Sequence, residues 1–589
     1  MAEDFSTLAK AAAQSEIWLP SADELAASRQ GVTGELRDLM ARLGRKPRGD
    51  ELKRVFKLRE LGGELAREHP GRSALEPIVE TLHATPNDDS ATVAELRTSL
   101  DAYVRLLMIA EDDQLAAHTR DHLRALESSW NAYRASGDAA CFAQVREHYG
   151  WLARHRQAEA CLAWLRQQAS RPNQRIRVSE SLLNGLLPKS IEKPLQVASA
   201  SGDATLSGEG LLKGVATIEL VPNPQRAEAW LRFTARGDAT VTGQRGAASV
   251  QARATLSVSA AQQVYLSDEL TLGEDPEVEV DVESSPVAAK YATHSPLMRL
   301  IGPRTAMSLA ERKHAAGDKQ AEERLKEHLL VELPRQARLY QHALNAAIDR
   351  VLHKPLRRYG VEAIVQSSST NRTLAVEGIF ARPWQLAAPD DPPEVPVSDT
   401  SAPLLHWQTH ESAVNNLSAV LAGQTFNEQD FRTLLFENFA MMPDDNEQER
   451  GHGLPCSFTF AAHDPVVVRV DDGCIKVRLA IARFAANGRE HRGPWHATAQ
   501  YRVTLDAAGV NATRQGPVRL ESTTGAPSEA IAAMLPRFLI QHATSDGITA
   551  LGEAARSLNL RTVGLKIDDG WLSLAIERSP LPDRASASD

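Results

Sequence analysis

The spacing of apolar positions divides the chain into a helical N-terminal part and a remainder in which strands and helices alternate. Val93, Leu96 and Leu100 recur at intervals of three and four, the spacing of one apolar face of a helix. Comparable runs, each ended by small or turn-forming residues, continue to about residue 170. Antiparallel helices joined by short turns are the natural packing for this pattern, so residues 1–172 are predicted to form an all-α bundle.

From about residue 194 the period of the pattern changes from near four to two, which is typical of strands. The segment EVEVDVE (277–283) alternates strictly, so we expect a solvated acidic face and a buried valine face. A long helical region follows at about 304–353, interrupted near Pro334, and two further strand-like runs come after it.

The same order of elements occurs again after a proline-rich segment. Residues 383–403 contain six prolines, a density that suits an extended, semi-rigid connection. Strand-like runs follow it, then a predicted helix over 526–558, and finally two strands around Asp569. Both halves therefore predict a short helix, several antiparallel strands, a longer helix and two closing strands.

The predicted fold class is α+β: an N-terminal all-α bundle followed by two similar domains, each a curved antiparallel sheet wrapped around a helix. The predicted segments are the helical bundle (1–172), a first sheet-and-helix domain (173–382), a linker (383–403), a second sheet-and-helix domain (404–580) and a disordered tail (581–589).

A short polar cassette opens each of the two similar domains. RVSESLLNGLLP (177–188) and QTHESAVNNLSAVLAG (408–423) both contain Glu-Ser followed three residues later by Asn. The serines stand where an N-cap hydroxyl accepts from free backbone N–H groups, and the asparagines where a capping box returns a hydrogen bond. We therefore expect these residues to start a helix and dock it onto a sheet rather than to catalyse a reaction. The cassette residues are Glu180, Ser181, Asn184, Glu411, Ser412 and Asn415.

Each cassette also carries an apolar face. A sheet that wraps a helix leaves an elongated apolar groove between the two, so these side chains are the candidate ligand-binding residues. They are Leu182, Leu183, Leu186, Leu187, Val414, Leu417, Val420 and Leu421.

Charge and hydropathy exclude two classes of partner. A formal charge of −10 over 589 residues argues against nucleic acid. No run of 18 apolar residues is present, so no transmembrane segment is expected.

Motifs for chemistry are missing as well. The sequence contains no P-loop, serine-hydrolase elbow, HExxH, calcium-loop or CxxC pattern, so we expect no enzyme, no cofactor and no metal site. His406 and His410 have the spacing of a helical metal pair, but no third ligand accompanies them. Cys456 and Cys474 leave two alternatives open, a disulfide or two thiols.

The cassette sequence Ser-Glu-Ser-Leu-Leu-Asn (179–184), followed by Leu-Leu, resembles the opening helix of tubular lipid-binding (TULIP) domains. The tandem layout over about 175–382 and 404–580 resembles two-domain members of this family, which includes permeability-increasing, lipid-transfer and bacterial envelope proteins. The resemblance implies an apolar groove for acyl chains and no catalytic residues.

The resulting hypothesis is non-enzymatic binding or carriage of a lipid-like apolar ligand, in a groove between helix and sheet, at a bacterial envelope. The alternative is a structural or scaffolding protein with solid-core duplicated domains. In either case the N-terminal helices could bind a protein partner. The N-terminus lacks a signal-peptide pattern, so the location is cytoplasmic unless a signal was removed, in which case it is the periplasm or envelope.

Overall fold

The computed structural model forms two compact units. Unit 1 comprises residues 1–176, 352–364 and 377–589, and unit 2 comprises residues 177–351 and 365–376. The described residues are 5–45, 49–84, 91–187, 190–201, 204–292, 296–349, 353, 356, 361, 363–394, 403–427, 430–431, 442–443, 456–486, 489–506, 509–522, 531–532, 538–539, 541–545, 558 and 560–579. The predicted tail, 581–589, lies outside them.

The N-terminal part of unit 1 is helical, as the apolar spacing predicts. Buried leucines and aromatic residues at helical intervals form its cores, among them Leu36, Leu96, Leu126 and Phe142. Its described helices are α1 (Phe5–Gln14), α2 (Ala22–Leu43), α3 (Gly49–Val55), α4 (Leu58–Leu65), α5 (Arg72–Ala84), α6 (Ala91–Ala110), α7 (Leu115–Ser136), α8 (Ala139–Arg154) and α9 (Glu159–Ala169).

Unit 2 is built from long antiparallel strands and one long helix. Strand order is β2-β3-β4-β5-β6, with β7 also paired to β5, and the long helix packs on β5, β6 and β7. The elements are α10 (Glu180–Leu186), β2 (Ile191–Ser201), β3 (Ala204–Val221), β4 (Ala227–Arg245), β5 (Ala248–Leu266), β6 (Leu270–Leu272), β7 (Glu277–Tyr291) and α11 (Pro296–Ile348). The alternation predicted for 277–283 is confirmed, because Val278 and Val282 are buried while the acidic residues between and beside them are exposed.

Strands β3 and β4 of unit 2 come close together at one glycine. Gly210 faces Ala239 across β3 and β4, and a Cβ atom added to Gly210 would lie 2.7 Å from the Ala239 Cβ. Facing Cβ atoms in an ordinary antiparallel pair are about 4.5–5.5 Å apart. The two strands therefore crowd together on this face, and only glycine fits at position 210.

The remaining strands form two further antiparallel sheets. One sheet has the order β11-β13-β15-β16-β17-β19-β12, with β14 on β15 and β18 on β16; a second has the order β20-β21-β10-β1-β9-β8. The elements are β1 (Gln174–Ser179), β8 (Ala363–Ser369), β9 (Thr373–Phe380), β10 (Leu405–His410), α12 (Glu411–Ser418), β11 (Thr425–Asn427), β12 (Met442–Pro443), β13 (Cys456–Phe460), β14 (Val466–Asp471), β15 (Cys474–Ala486), β16 (Arg489–Asp506), β17 (Gly509–Arg514), β18 (Arg519–Ser522), β19 (His542–Ser545), β20 (Leu560–Asp568) and β21 (Trp571–Arg578). Helices come first and antiparallel sheets follow, which confirms the α+β class.

Aromatic side chains fill the core beneath the larger sheet of unit 1. Phe458 and Phe538 pack edge to face with ring centroids 4.6 Å apart, and both are almost fully buried. The cluster also contains Phe426, Phe431, Phe460, Phe484, Trp495 and Tyr501. This part of the molecule is packed with its own side chains.

Two local predictions are wrong. Helix α11 runs through Pro334 without interruption, because side-chain hydrogen bonds on either side of the proline hold the helix to β6 and β7. His542–Ser545, predicted as helical, form strand β19 instead, where they pair with the otherwise open side of β17. Most of the predicted helix at 526–558, including Pro536, lies outside the described residues.

The predicted linker, 383–403, is packed against unit 1 over its described first part. Leu386, Ala387 and Ala388 are buried, and Arg171 and Ala388 exchange backbone hydrogen bonds. The Arg105 guanidinium lies 4.5 Å from the centre of the Trp384 ring. Residues 395–402 lie outside the described part, and the independence of the predicted domains stays a prediction.

Candidate functional site

The first cassette forms α10 and is bonded to the edge of β3. The Glu180 Oε2 accepts from the Leu220 N–H at 2.9 Å. The Asn184 amide bonds Ile218 at both ends: Oδ1 accepts from its N–H at 2.7 Å, and Nδ2 donates to its carbonyl at 2.8 Å. Strand β2 pairs with β3 only as far as Gly214, so α10 satisfies backbone groups that β2 leaves open.

The second cassette forms α12 and bonds β14 in the same way. The Glu411 Oε2 accepts from the Val470 N–H at 2.8 Å. The Asn415 Oδ1 accepts from the Val468 N–H at 2.6 Å, and its Nδ2 donates to the Val468 carbonyl at 2.9 Å. In both cassettes the glutamate bonds a strand residue two positions after the one that the asparagine bonds.

The prediction of Ser181 and Ser412 as N-caps is wrong, since the N-cap of each helix lies two residues earlier. Ser179 caps α10 by accepting from the Leu182 N–H, and the ring of His410 caps α12 by accepting from the Ser412 N–H. The asparagines do not complete a capping box, because their amides are used on the strands. The cassettes do start helices and dock them on sheets.

A third asparagine makes the same contact in unit 2. The Asn345 Oδ1 on α11 accepts from the Leu270 N–H at 2.8 Å, and its Nδ2 donates to the Leu270 carbonyl at 2.9 Å. A side-chain amide has the donor and acceptor of a peptide group, so it can pair with a strand edge as a neighbouring strand would. We call this two-bond contact of Asn184, Asn345 or Asn415 an edge clip.

The predicted ligand-binding side chains are placed differently in the two cassettes. Leu182 is buried, Leu183 and Leu187 are half-buried, and Leu186 is 47% exposed. Val414, Leu417, Val420 and Leu421 are all half-buried, and Leu421 packs against the aromatic core of unit 1. Contact of these eight residues with a ligand stays a prediction.

His406 and His410 do not form a helical pair, because both lie on β10. A strand rises about 3.3 Å per residue, so four residues separate them by about 13 Å. His410 is 3% exposed, and its burial lowers its pKa to about 3. No group of three or more His, Cys, Asp or Glu in the described part of the chain is arranged to hold a metal.

Cys456 and Cys474 are too far apart to form a disulfide with each other. Cys474 begins β15, whereas Cys456 faces Ala486 at the other end of that strand. Twelve residues of strand span about 40 Å, against a Cα separation of about 4.4–6.8 Å in disulfides.

Unit 2 contains a groove along α11 that sequence reasoning missed. Its volume is about 460 Å³, and it is lined by Asp275, Leu330, Val331, Pro334, Arg335, Arg338, Leu339 and His342. Val331 and Leu339 are 72% and 57% exposed. The sequence feature that could have revealed this groove is the run of apolar residues after position 328, in a helix that is otherwise strongly charged.

A larger, open cavity of about 840 Å³ lies on the sheet of unit 2. Exposed polar side chains form much of its lining, among them Lys213, Arg236 and Asp281, whereas Val258 is only 5% exposed. Val215, which also lines this cavity, is 45% exposed, so both surfaces of unit 2 present apolar side chains.

The chain was compared with known proteins. No protein-family model matches the sequence, and no curated protein matches it. Among solved structures, lipopolysaccharide binding protein is 9% identical with a TM-score of 0.25, and the match covers 70% of this chain and 100% of that one. P47 from Clostridium botulinum A2 is 8% identical with a TM-score of 0.21, covering 71% and 100%. Similarity this low carries no argument about function.

None of the helices in the described ranges is both long enough and apolar enough to cross a membrane.

Proposed function

We propose that the chain binds a lipid-like apolar ligand without catalysing a reaction, and that α11 provides the binding surface. The observation that carries the proposal is the exposure of Val331 and Leu339, at 72% and 57%, which both line the groove on this helix. Exposed apolar side chains grouped around a groove are characteristic of ligand or partner sites. The groove volume lies within the range of small-molecule pockets, about 300–1,000 Å³.

The exposed side chains stand on a helix that is anchored on both sides of the groove. Before it, Asp318 and Glu322 accept from backbone N–H groups of Ser284 and Val282 on β7. After it, Asn345 forms its edge clip. The apolar residues are therefore displayed by a fixed element, which lowers the entropic cost of binding.

The predicted groove between helix and sheet is thus proposed for α11 and the turn at Asp275, rather than beside the cassettes. We further propose that the cassettes are two copies of one structural module. Their matched glutamate and asparagine hydrogen bonds support this duplication. Membership of the TULIP family and a place in the bacterial envelope remain proposals that rest on the sequence resemblance.

Lipid extraction and mass spectrometry of the purified full chain test whether a lipid co-purifies. Titration with N-phenyl-1-naphthylamine, a fluorescent apolar probe, then measures binding directly. Val331→Asn with Leu339→Asn is expected to weaken probe binding at least about tenfold, because each buried aliphatic side chain contributes about 1.5–3 kcal/mol. Leu19→Asn is the matched control, since Leu19 is 58% exposed but lies in unit 1.

Two results would contradict the proposal: the absence of both co-purified lipid and probe binding, or an equal loss in the Leu19→Asn control. The first result would favour the scaffolding alternative.

A further inference from the structure

The groove on α11 carries charge in addition to apolar surface. Arg335 and Arg338 line it together with a single acidic residue, Asp275. Two arginines against one aspartate leave this groove net positive, although the whole chain has a formal charge of −10. The lining itself therefore carries one net positive charge, and Glu332 lies beside it, 3.5 Å from Arg335.

The positive charges of the two arginines are barely neutralised by acidic side chains of the protein itself. Arg335 Nη1 lies 3.5 Å from Glu332 Oε2, and its side chain is 71% exposed. An exposed ion pair at this distance contributes little to stability. The Glu332 carboxylate is also bonded by the Gln336 amide at 2.7 Å. Arg338 has no ion pair with any residue that the structure describes. Both guanidinium groups are available to an external anion.

The order of charged and apolar side chains along the helix suits an amphiphilic ligand. Val331 lies one helical turn before Arg335, and Leu339 one turn after it. An acidic head can be held by guanidinium donors while its chain lies against the valine and leucine. Arginine suits this role because its planar fork makes paired hydrogen bonds to carboxylates and phosphates.

We propose that the ligand of the α11 groove is an acidic amphiphile, whose anionic head is bound by Arg335 and Arg338. This inference rests on the proposed function, because it assigns the head group of the same ligand. It selects among lipid-like molecules: a neutral molecule with the same chain uses only the apolar part of the groove.

Binding of oleate and oleyl alcohol to the full-length protein tests the inference. The two compounds have the same hydrocarbon tail and differ only in the head group, a carboxylate or a hydroxyl. Oleate is expected to bind at least about tenfold more tightly, the effect of one charge-assisted hydrogen bond. Arg335→Gln with Arg338→Gln is expected to reduce oleate affinity to that of oleyl alcohol and leave the alcohol unchanged. Arg304→Gln, at the other end of α11, is the matched control and should leave both affinities unchanged.

The outcomes separate this inference from the proposed function. Equal binding of oleate and oleyl alcohol, or unchanged oleate binding in the double variant, overturns the acidic head while leaving apolar binding intact. Binding of neither compound overturns both proposals. Acetate in tenfold excess is expected not to displace oleate, and displacement by acetate would show a site for small anions instead.

Discussion

Four asparagines in the described part of the chain act as strand substitutes, and one of them is Asn173, which makes the same two bonds to Phe380 as the three edge clips make to their strand residues. Asn184, Asn345 and Asn415 each use one oxygen and one nitrogen to bond the N–H and carbonyl of a single strand residue. No other uncharged side chain except glutamine offers a donor and an acceptor side by side. Each edge clip closes backbone groups on a strand edge, where exposed groups promote pairing with other chains.

Asn415→Ala is expected to destabilise unit 1 by about 1–3 kcal/mol, because both backbone groups of Val468 lose their partner. Asn415→Asp should also destabilise, since it keeps the acceptor but places a carboxylate against the Val468 carbonyl. Denaturant unfolding measures both. Asn371→Ala removes an exposed asparagine and should change stability by no more than about 0.5 kcal/mol. Equal stabilities of Asn415→Ala and the parent would contradict the role of the clip.

At this scale the sequence identified the right residues but not their partners. Glutamate and asparagine at matched positions indicated a structural element that starts a helix and meets a sheet. The capping interpretation failed because a cap is local in sequence, whereas Ile218 lies 34 positions from Asn184 and Val468 lies 53 from Asn415. Which strand edge stands open is decided by the pairing of β2 and β3, and no short motif encodes it.

At the scale of elements, α11 is defined by its anchors. Its 53 residues include two prolines after the first residue, Pro303 and Pro334, yet it is one helix whose polar side chains bond β6 and β7. The apolar residues near Pro334 that face away from those contacts remain exposed. An anchored helix with an uncovered apolar side is the basis of the proposed binding surface.

Hydrogen exchange can test the anchor on β6. Asn345→Ala is expected to increase exchange at the Leu270 amide at least about fivefold, because that N–H loses its acceptor. Gln336→Ala, on the same helix but bonded only to Glu332, is the control and should leave Leu270 unchanged. Unaltered exchange in the Asn345 variant would show that β6 is held by other contacts.

At the scale of the whole molecule, several buried or half-buried histidines lie in unit 1. Burial lowers the pKa of His122 to about 4 and also lowers that of His148, whose Nδ1 is 3.1 Å from the His122 Nδ1. The pKa of His155 is lowered for the same reason, and its ring stacks on Trp151 opposite His122. Burial lowers the pKa of His410 to about 3 and also lowers those of His463 and His496, so the surroundings favour the neutral form of six imidazoles in the described part of this unit.

Acid should therefore weaken unit 1. A histidine whose folded pKa lies below 6.5 stabilises the fold fully above pH 6.5, and that contribution is lost as the pH falls from 6.5 toward 4. Buried Glu411 opposes this trend, because its pKa is raised by burial and it takes up a proton more readily when folded. The histidines outnumber it, so the unfolding temperature is expected to fall between pH 6.5 and 5.

Tryptophan fluorescence follows this transition selectively, since Trp230 is the only one of nine tryptophans in unit 2. His122→Asn is expected to flatten the pH dependence, and His69→Asn, at an exposed position of unit 1, should preserve it. An unfolding temperature that is constant from pH 6.5 to 5 would contradict the prediction.

Much of the overall fold could be predicted from the sequence, because the spacing of apolar residues reflects which side of each element is buried. The N-terminal helices and the α+β class follow from it. The groove could not be predicted from the sequence. Val331 and Leu339 have the spacing of ordinary apolar positions of a helix, and only the placement of β6 and β7 leaves them uncovered. Likewise, His542–Ser545 sit in a helix-like run, but the open side of β17 makes them a strand.

The first edge clip also bears on the chemical ageing of the chain. Asn184 precedes Gly185, and asparagine before glycine is a labile amide that converts spontaneously to a carboxylate through attack by the next backbone nitrogen. That attack requires the side chain to turn back onto its own backbone, yet both amide atoms are held by Ile218 and Gly185 lies within a helix. The contact that closes the sheet edge thus protects the bond on which it depends. Once lost, the amide donor would be replaced by an oxygen facing the Ile218 carbonyl, and the clip could not form again.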